Sequence, residues 1–328
     1  MEQNTANIKT IGLMTSGGDA PGMNPFIRSV VRTCYAYGIK AIGIEGGYEG
    51  LIRGKFREMG VRDVSGILQR GGTILQTARS KDFREPAGQR EAIRQINNAG
   101  MDGLIVAGGD GSLTGAQKLV AKGVPVVGVP ASIDNDIFGT DTCIGVDTAL
   151  NTIVDAIDKI RDTASSHNRA FLIETMGRES GYLATQAGIV TGAEMVLIPE
   201  HNTPVEEVAA AIEEAYRRGK SHAIIVVAEG YKPQALELAA RLEAMDIGFS
   251  TRVTILGHIQ RGGKPTAFDR LIAQRFGVAA VEFLMTGKTN VMTGLRGSEI
   301  VPVPIDDVIS NTKKLSEKFI EMTHILAK

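Results

Sequence analysis

Only two of the 328 residues are cysteine, Cys34 and Cys143, and they stand far apart with no CxxC or Cys/His ligand spacing. That excludes a disulfide scaffold and a structural zinc site, and it suits a reducing compartment. Neither sign of charge is in excess: 36 lysines and arginines against 37 aspartates and glutamates leave a formal net charge of −1. Nucleic acid and acidic membranes are therefore not expected as global partners, though local basic pockets remain open. No run approaches the roughly 18 apolar residues of a membrane span, and the N-terminal MEQNTANIK lacks a basic-then-apolar leader pattern. A cytoplasmic protein is expected. Short-period repeats, low-complexity tracts and linkers rich in Pro, Gly or Ser are also missing. What is abundant is glycine, 39 residues, well above the usual share of about 7%. With 43% hydrophobic and 22% charged residues over this length, the composition is that of a globular protein with a large core, and two domains are expected.

Short aliphatic runs alternate with stretches of helical period. Ile11–Leu13, Gly103–Val106, Val124–Val129, Ala170–Ile173, Met195–Ile198, His222–Val227 and Thr254–Leu256 read as strands. Several are apolar without alternation, as strands covered on both faces of a parallel sheet must be. Between them, Ile153, Val154, Ile157 and Ile160 form one helical stripe, with Asp155, Asp158, Lys159 and Arg161 largely outside it. Thr203-Pro204-Val205-Glu206-Glu207 predicts a helix start with Thr203 as N-cap and Pro204 in the first position. The alternation predicts an α/β fold with parallel sheets.

Two glycine loops follow strands. Thr15-Ser16-Gly17-Gly18-Asp19-Ala20-Pro21-Gly22-Met23-Asn24 precedes a helical pattern (Ile27, Val30, Val31, Cys34), and Gly108-Gly109-Asp110-Gly111-Ser112 repeats the design. Glycine lets a backbone approach a ligand closely, and a helix start then offers N–H donors to phosphate. Neither loop is a Walker A or a GxGxxG motif, and a tight turn without a ligand also satisfies each. Parallel sheets gather ligands at the C-terminal ends of strands, so two such loops favour phosphate. Asp110 reads either as a helix N-cap or as a carboxylate for Mg²⁺ bound to phosphate.

A third strand end carries Pro130-Ala131-Ser132-Ile133-Asp134-Asn135-Asp136. Two acids two residues apart serve either an Asx-rich turn or a catalytic pair, one taking a proton from an attacking hydroxyl and the other positioning hydrated Mg²⁺.

Taken with Met176-Gly177-Arg178, Glu229 and Leu256-Gly257-His258-Ile259-Gln260-Arg261-Gly262-Gly263, the three motifs resemble, in order and spacing, the bacterial ATP-dependent 6-phosphofructokinases. The resemblance runs from about residue 8 to about residue 300. It implies two Rossmann-like three-layer domains, 1–145 plus 259–309 for ATP and 146–258 plus 310–328 for fructose 6-phosphate, and reaction in the cleft. Gly18, Gly109, Asp110, Gly111 and Ser112 would hold ATP phosphates, Arg79 and Ser80 would reach the nucleotide, and Asp110 would bind Mg²⁺. Asp134 would be the general base, with Arg178 serving transition-state charge. Ser132, Ile133, Asp134, Asp136, Met176, Gly177, Arg178, Glu229, His258, Ile259, Gln260 and Arg261 would line the sugar-phosphate side. Arg169 and Arg252 match arginines that reach the sugar phosphate from a neighbouring subunit of a homotetramer. Arg28, Arg32, Arg161, Glu194 and Lys220 match positions that bind an effector, ADP or phosphoenolpyruvate. Without the resemblance, the arginines read as surface or salt-bridged residues and His258 as a core histidine.

The usual ATP-type run is Gly-Thr-Ile-Asp-Asn-Asp; here Ala131 and Ser132 replace the first two residues. Pyrophosphate-using relatives typically carry Asp in place of Gly111 and Lys in place of Ala131, and this chain has neither. ATP is therefore the expected donor. The alternatives are a pyrophosphate-dependent phosphofructokinase and, from a different class, a non-catalytic sugar-phosphate sensor, which would have no need to keep Asp110 and Asp134.

Overall fold

The computed structural model describes residues 8–166, 169–245 and 247–327. The stretch read above for a leader lies, up to residue 7, outside them. From β1 (Thr10–Thr15) the chain passes through the first glycine loop into α1 (Met23–Ala36), then β2 (Lys40–Ile44), α2 (Gly47–Ile52) and β3 (Phe56–Met59). A loop with a 3-10 turn at Asp82–Arg84 leads to α3 (Pro86–Asn98), β4 (Gly103–Gly108), α4 (Asp110–Val120) and β5 (Val126–Pro130). Next come α5 (Val146–Ser165), β6 (Arg169–Thr175), α6 (Tyr182–Thr191), β7 (Met195–Leu197), α7 (Val205–Arg217), β8 (His222–Ala228), α8 (Ala235–Glu243) and β9 (Ser250–Ile255). After a 3-10 turn at Gly257–Arg261 the chain ends with α9 (Ala267–Met285), β10 (Val291–Arg296), β11 (Glu299–Pro304), α10 (Ile305–Ser310) and α11 (Glu317–Leu326).

These elements form two compact units. The first holds residues 8–132, Ile137–Asp147 and Arg261–Lys313. Its seven-stranded sheet has the order β11-β10-β5-β4-β1-β2-β3, and only the edge strands β3 and β11 run antiparallel to their neighbours. Every residue of β4 and β5 is buried, which is why both read as unbroken apolar runs. On one face Met14, Ile44, Leu104 and Val126 pack with Ile96 of α3 and Leu119 of α4. Ile11 and Leu13, alternating with Met14, are buried too. The helices α1 and α9 pack together, and Gly277 permits it: a methyl there would lie 2.8 Å from the Ser29 side chain.

The second unit holds Ile133–Asp136, Thr148–Gln260 and residues 314–327. Its sheet has four strands in the order β7-β8-β6-β9, all parallel. Leu172, Ile225 and Val227 meet Val208 and Ile212 of α7 and Leu238 and Leu242 of α8. The expected stripe of α5 is real: Ile153 and Ile157 are fully buried, Val154 and Ile160 half-buried, and Asp155, Asp158 and Lys159 exposed.

Three local readings are corrected. The cap of α7 is Pro204, with φ −65° and ψ 149°, so the helix starts at Val205; Thr203 instead accepts the Tyr231 hydroxyl on its carbonyl oxygen, at 2.6 Å. The strands β2, β3, β10 and β11 escaped the sequence reading. Of these, β11 carries Pro302 and Pro304 and is a sheet edge, where a missing N–H is tolerated. The unit boundaries shift too: residues 133–136 and 259–260, expected with the first domain, group with the second unit, and 146–147 and 310–313, expected with the second, group with the first. Among the described residues no helix is long and apolar enough to cross a membrane.

Candidate active site

The three motifs leave neighbouring strands. In the first unit β1, β4 and β5 lie side by side and parallel, with Thr15 paired to Ala107 and Gly108 to Pro130. Their C-terminal ends are stitched together beyond the strands: Ser16 N–H donates to Ala107 O at 2.9 Å, and Ala131 N–H to Gly108 O at 3.1 Å. Both glycine loops and the start of the acidic run therefore share one edge of the sheet, where open α/β sheets take ligands.

The glycines of these loops have different reasons to be there. A methyl on Gly108 would lie 2.4 Å from Ser16 O and 2.5 Å from the Ser112 hydroxyl, so the fold itself demands glycine. Gly17 has φ +85°. On Gly18 a methyl would come within 3.0 Å of the Arg261 guanidinium, which lies against this loop. Gly111 differs. It is exposed, it is the second residue of α4, and a methyl there would meet nothing within 4 Å. Glycine in a helix costs about 1 kcal/mol relative to alanine, and no protein neighbour accounts for it. Open space over the first turn of a helix is what an incoming phosphate requires.

The N-cap of α4 is Gly109 and Asp110 is the first helical residue, so the N-cap reading of Asp110 does not hold. Ser112 is buried and Asp110 exposed. Tyr48, overlooked in the sequence, braces this helix start. Its hydroxyl donates to Ser112 O at 2.6 Å and its ring stacks on Phe83 at 4.1 Å. Burial pushes its phenol well above the ordinary range. A lone tyrosine in a glycine-rich stretch carries no motif that would have marked it.

The approach to Arg79 and Ser80 is fixed from behind. Asn24 accepts the Ile74 N–H at 2.8 Å and donates to Arg70 O and Gly71 O, while Thr15 and Thr73 share a hydroxyl hydrogen bond of 2.8 Å. Arg79 itself is exposed. The Ser80 hydroxyl donates to Glu49 at 2.8 Å, and that bond, with help from Arg53, holds the Glu49 carboxyl below its usual range.

Ala131 is 1% exposed and bridges to Ile144. The methyl that distinguishes this chain from the usual pattern is thus packed inside the fold. Ser132 flanks Gly109, half-buried.

In the second unit, Asp134 is only 3% exposed and is followed by Asn135 at φ +52°. Its Oδ2 lies 3.3 Å from Nε of Arg178, whose side chain is 60% exposed. Arg178 too has a positive φ, +53°. The loop after β6 is pinned by side-chain acceptors: Met176 N–H donates to Gln260 Oε1 at 3.1 Å, and Gly177 and Arg178 N–H donate to Glu229 Oε1 at 3.1 and 2.7 Å. Glu229 stands at the end of the neighbouring strand, its own N–H on Thr175 O at 2.9 Å. Gly230 must be glycine, since a methyl would lie 2.2 Å from Arg178 O. His258 and Ile259 are exposed on the 3-10 turn, so His258 is not a core histidine; Ile133 is buried, Asp136 half-buried and Gln260 fully buried.

Arg169 and Arg252 are not brought to this group. Arg169 opens β6 and Arg252 pairs with Phe171, whereas Met176–Arg178 leave the other end of the strand, about 23 Å from Arg169 and about 16 Å from the level of Arg252 at ~3.3 Å per residue. Of the expected effector set, three residues gather beside β8. Lys220 pairs with Glu194 at 3.1 Å, Glu194 also accepts the Ile224 N–H at 2.6 Å, and Arg161 donates to Thr191 O at 2.5 Å. His222 lies in their field; burial lowers its pKa, Glu194 opposes that, and Arg161 and Lys220 add to it. Arg28, bonded to Gln274 at 3.3 Å, and exposed Arg32 lie on α1 in the other unit.

Helix-start glycine loops at the strand ends of the first unit suit phosphate, and a buried carboxylate met by an arginine in the second suits proton acceptance beside developing charge. Residues 10–284 match the family model described as phosphofructokinase, and the chain belongs to that family. The ATP-dependent 6-phosphofructokinase of Thermotoga neapolitana is 51% identical over 321 residues, covering 98% of this chain and 100% of that protein. Among solved structures, Pichia pastoris phosphofructokinase in the T-state is 36% identical with a TM-score of 0.88, over 99% of this chain and 38% of that longer one. A pyrophosphate-dependent phosphofructokinase from Marinobacter aquaeolei, 20% identical, shares the fold with a TM-score of 0.84, over 95% of this chain and 86% of that one. Architecture alone therefore does not select the phosphoryl donor.

Proposed function

We propose that the chain is an ATP-dependent 6-phosphofructokinase, transferring the γ-phosphoryl group of ATP to fructose 6-phosphate to give ADP and fructose 1,6-bisphosphate. The pathway step is the committed one of glycolysis, in the cytoplasm. The observation that carries the chemistry is the buried Asp134 carboxylate 3.3 Å from the Arg178 guanidinium. Asp134 accepts the proton of the attacking sugar hydroxyl, and Arg178 faces the charge that develops on the transferring group. Relatives at about half identity over their full length support the substrate pair.

The first unit takes ATP. Its phosphates lie on Gly18 and on Gly109 to Ser112, with Arg79 and Ser80 toward the nucleotide. The open space at Gly111 and the absence of lysine at 131 favour ATP over pyrophosphate. Mg²⁺ fits this donor set. Asp110 offers one exposed carboxylate at a helix start, and the described residues contain no group of three or more acids, histidines or cysteines to cage a metal. Mg²⁺ is commonly held by one or two carboxylates together with phosphate oxygens and water. Bound there, it neutralises phosphate charge.

The sugar phosphate is taken mainly by residues of the second unit. Asp136 and Ser132 position the reacting groups. Met176, Gly177, Glu229, His258 and Ile259, with Arg261, meet the sugar and its phosphate, the arginine through a paired donor fork. Arg169 and Arg252, remote from that set within one chain, serve a neighbouring subunit of a homotetramer. ADP or phosphoenolpyruvate binds at Arg28, Arg32, Arg161, Glu194 and Lys220.

A coupled assay with fructose 6-phosphate and Mg²⁺, supplied first with ATP and then with pyrophosphate, tests the proposal. Turnover with ATP alone is expected. Turnover with pyrophosphate in its place would reverse the donor assignment, and none with either would remove the activity.

A further inference from the structure

We propose that Gln260 is a positioning residue: it couples the loop that presents Arg178 to the turn that presents His258, and it touches no ligand. This role rests on the reading of that region as the sugar-phosphate site.

The side chain of Gln260 is 0% exposed, so neither sugar nor phosphate reaches it. Both ends of its amide are engaged with backbone. Oε1 accepts the Met176 N–H at 3.1 Å, and Nε2 donates to Gly257 O at 2.9 Å. Met176 is the first residue beyond β6 and Gly257 opens the 3-10 turn beyond β9. The ladder between those strands ends where Leu256 N–H donates to Glu174 O at 3.1 Å. Past that point the two chains diverge into turns, and the amide of Gln260 supplies the donor and the acceptor that a continued ladder would have supplied.

The loop it holds is backed by acceptors along its length. Glu229 takes the N–H groups of Gly177 and Arg178, and Glu200 takes that of Gly181 with both oxygens, at 2.9 and 3.0 Å. These bonds over-determine a backbone that does not rest easily at Arg178, a non-glycine residue with φ +53°, beside Gly177, which takes its φ of +146° freely. Strained φ values persist only where surrounding contacts enforce them. Of these acceptors, Gln260 is the one that also reaches the turn carrying His258. Release of Met176 lets Arg178 relax and swing from its 3.3 Å approach to Asp134.

The test is steady-state kinetics on Gln260→Met and Gln260→Glu, varying fructose 6-phosphate and ATP separately across pH, with thermal melting alongside. Gln260→Met keeps length and volume but loses both hydrogen bonds. Its kcat/KM for fructose 6-phosphate should fall about 10²-fold, the usual scale for a misplaced catalytic group, while the KM for ATP stays within about twofold. Gln260→Glu keeps the acceptor for Met176 but, when ionised, opposes the Gly257 carbonyl. Protonation restores a donor, so the ratio of its activity to that of the parent should rise as pH falls. Unchanged sugar kinetics in a folded Gln260→Met overturn the proposal, as does a KM for ATP that rises as much as the KM for fructose 6-phosphate. A pH-independent ratio for Gln260→Glu also overturns it, and decides alone if Gln260→Met does not fold. An inactive parent chain would overturn the reading of the site itself, and this role with it. An active parent with unaffected variants overturns the role only.

Discussion

Nε of Arg178 stands 3.3 Å from Oδ2 of Asp134, and each partner is associated with a residue in the left-handed region: Arg178 itself at φ +53° and Asn135, next to Asp134, at φ +52°. Such conformations cost of order 1–3 kcal/mol each in non-glycine residues and are retained where function uses them. Here they aim a largely exposed side chain at a carboxylate that is nearly inaccessible. Glu229 compensates by accepting the N–H groups of Gly177 and Arg178.

Asp134→Ser should abolish most turnover while leaving substrate binding largely intact. Loss of a general base costs about 10²–10⁴ in kcat, and the KM values should move little because the serine still fills the site's polar position. Initial rates against both substrates check this. Near-normal kcat would mean that another group takes the proton.

Gly111→Asp should separate stability from function. A carboxylate in the first turn of α4 faces open space and the positive end of the helix, contributing about 0.3–1 kcal/mol. The same charge repels a nucleotide phosphate brought to that helix start. The melting temperature should hold or rise while kcat/KM for ATP falls at least about tenfold. A variant with unaltered ATP kinetics would place the donor elsewhere.

The pH dependence of stability should carry a contribution from His222. Its folded pKa is lowered from 6.5, chiefly by burial. Below 6.5 the unfolded chain takes up a proton that the folded chain resists, so stability is present above the unfolded pKa and is lost as pH falls through that range. His222→Gln should flatten this part of the profile in denaturant melts recorded from pH 7.5 downward. An unchanged slope would contradict the assignment.

Arg28→Ala should weaken the response to effectors. Arg28 and Arg32 are four residues apart and share a face of α1, and their charge is the kind that binds nucleotide diphosphate or phosphoenolpyruvate. Fructose 6-phosphate saturation curves with and without each effector are the measurement. Curves as responsive as those of the parent chain would leave these arginines as solvated surface charges.

Much of the fold was legible locally. The apolar runs of β4 and β5, the stripe of α5 and the glycine loops each announce themselves within a dozen residues, because period and backbone freedom are properties of short segments. The edges were not legible. Lys40–Ile44 is short, Phe56–Met59 is half polar, and Glu299–Pro304 contains prolines that only an edge position excuses. The site divides in the same way. Asp110, Asp134 and the Met176–Arg178 run are marked by their residue types in order, while Tyr48 and Glu200 act through hydrogen bonds to remote backbone that no spacing encodes.

The acidic run shows the division most clearly. The amino-acid sequence by itself determined that two acids follow a buried strand beside two glycine loops, and that neither aspartate at 111 nor lysine at 131 is present. Only the tertiary structure decided that the Ala131 methyl is packed away, that Asp134 is buried against Arg178, and that Gln260 is enclosed between two turns. Residue type sets which chemistry a group can perform. Burial and hydrogen-bond partners come from segments remote in the chain, and they settle which of those groups is held where the chemistry can occur.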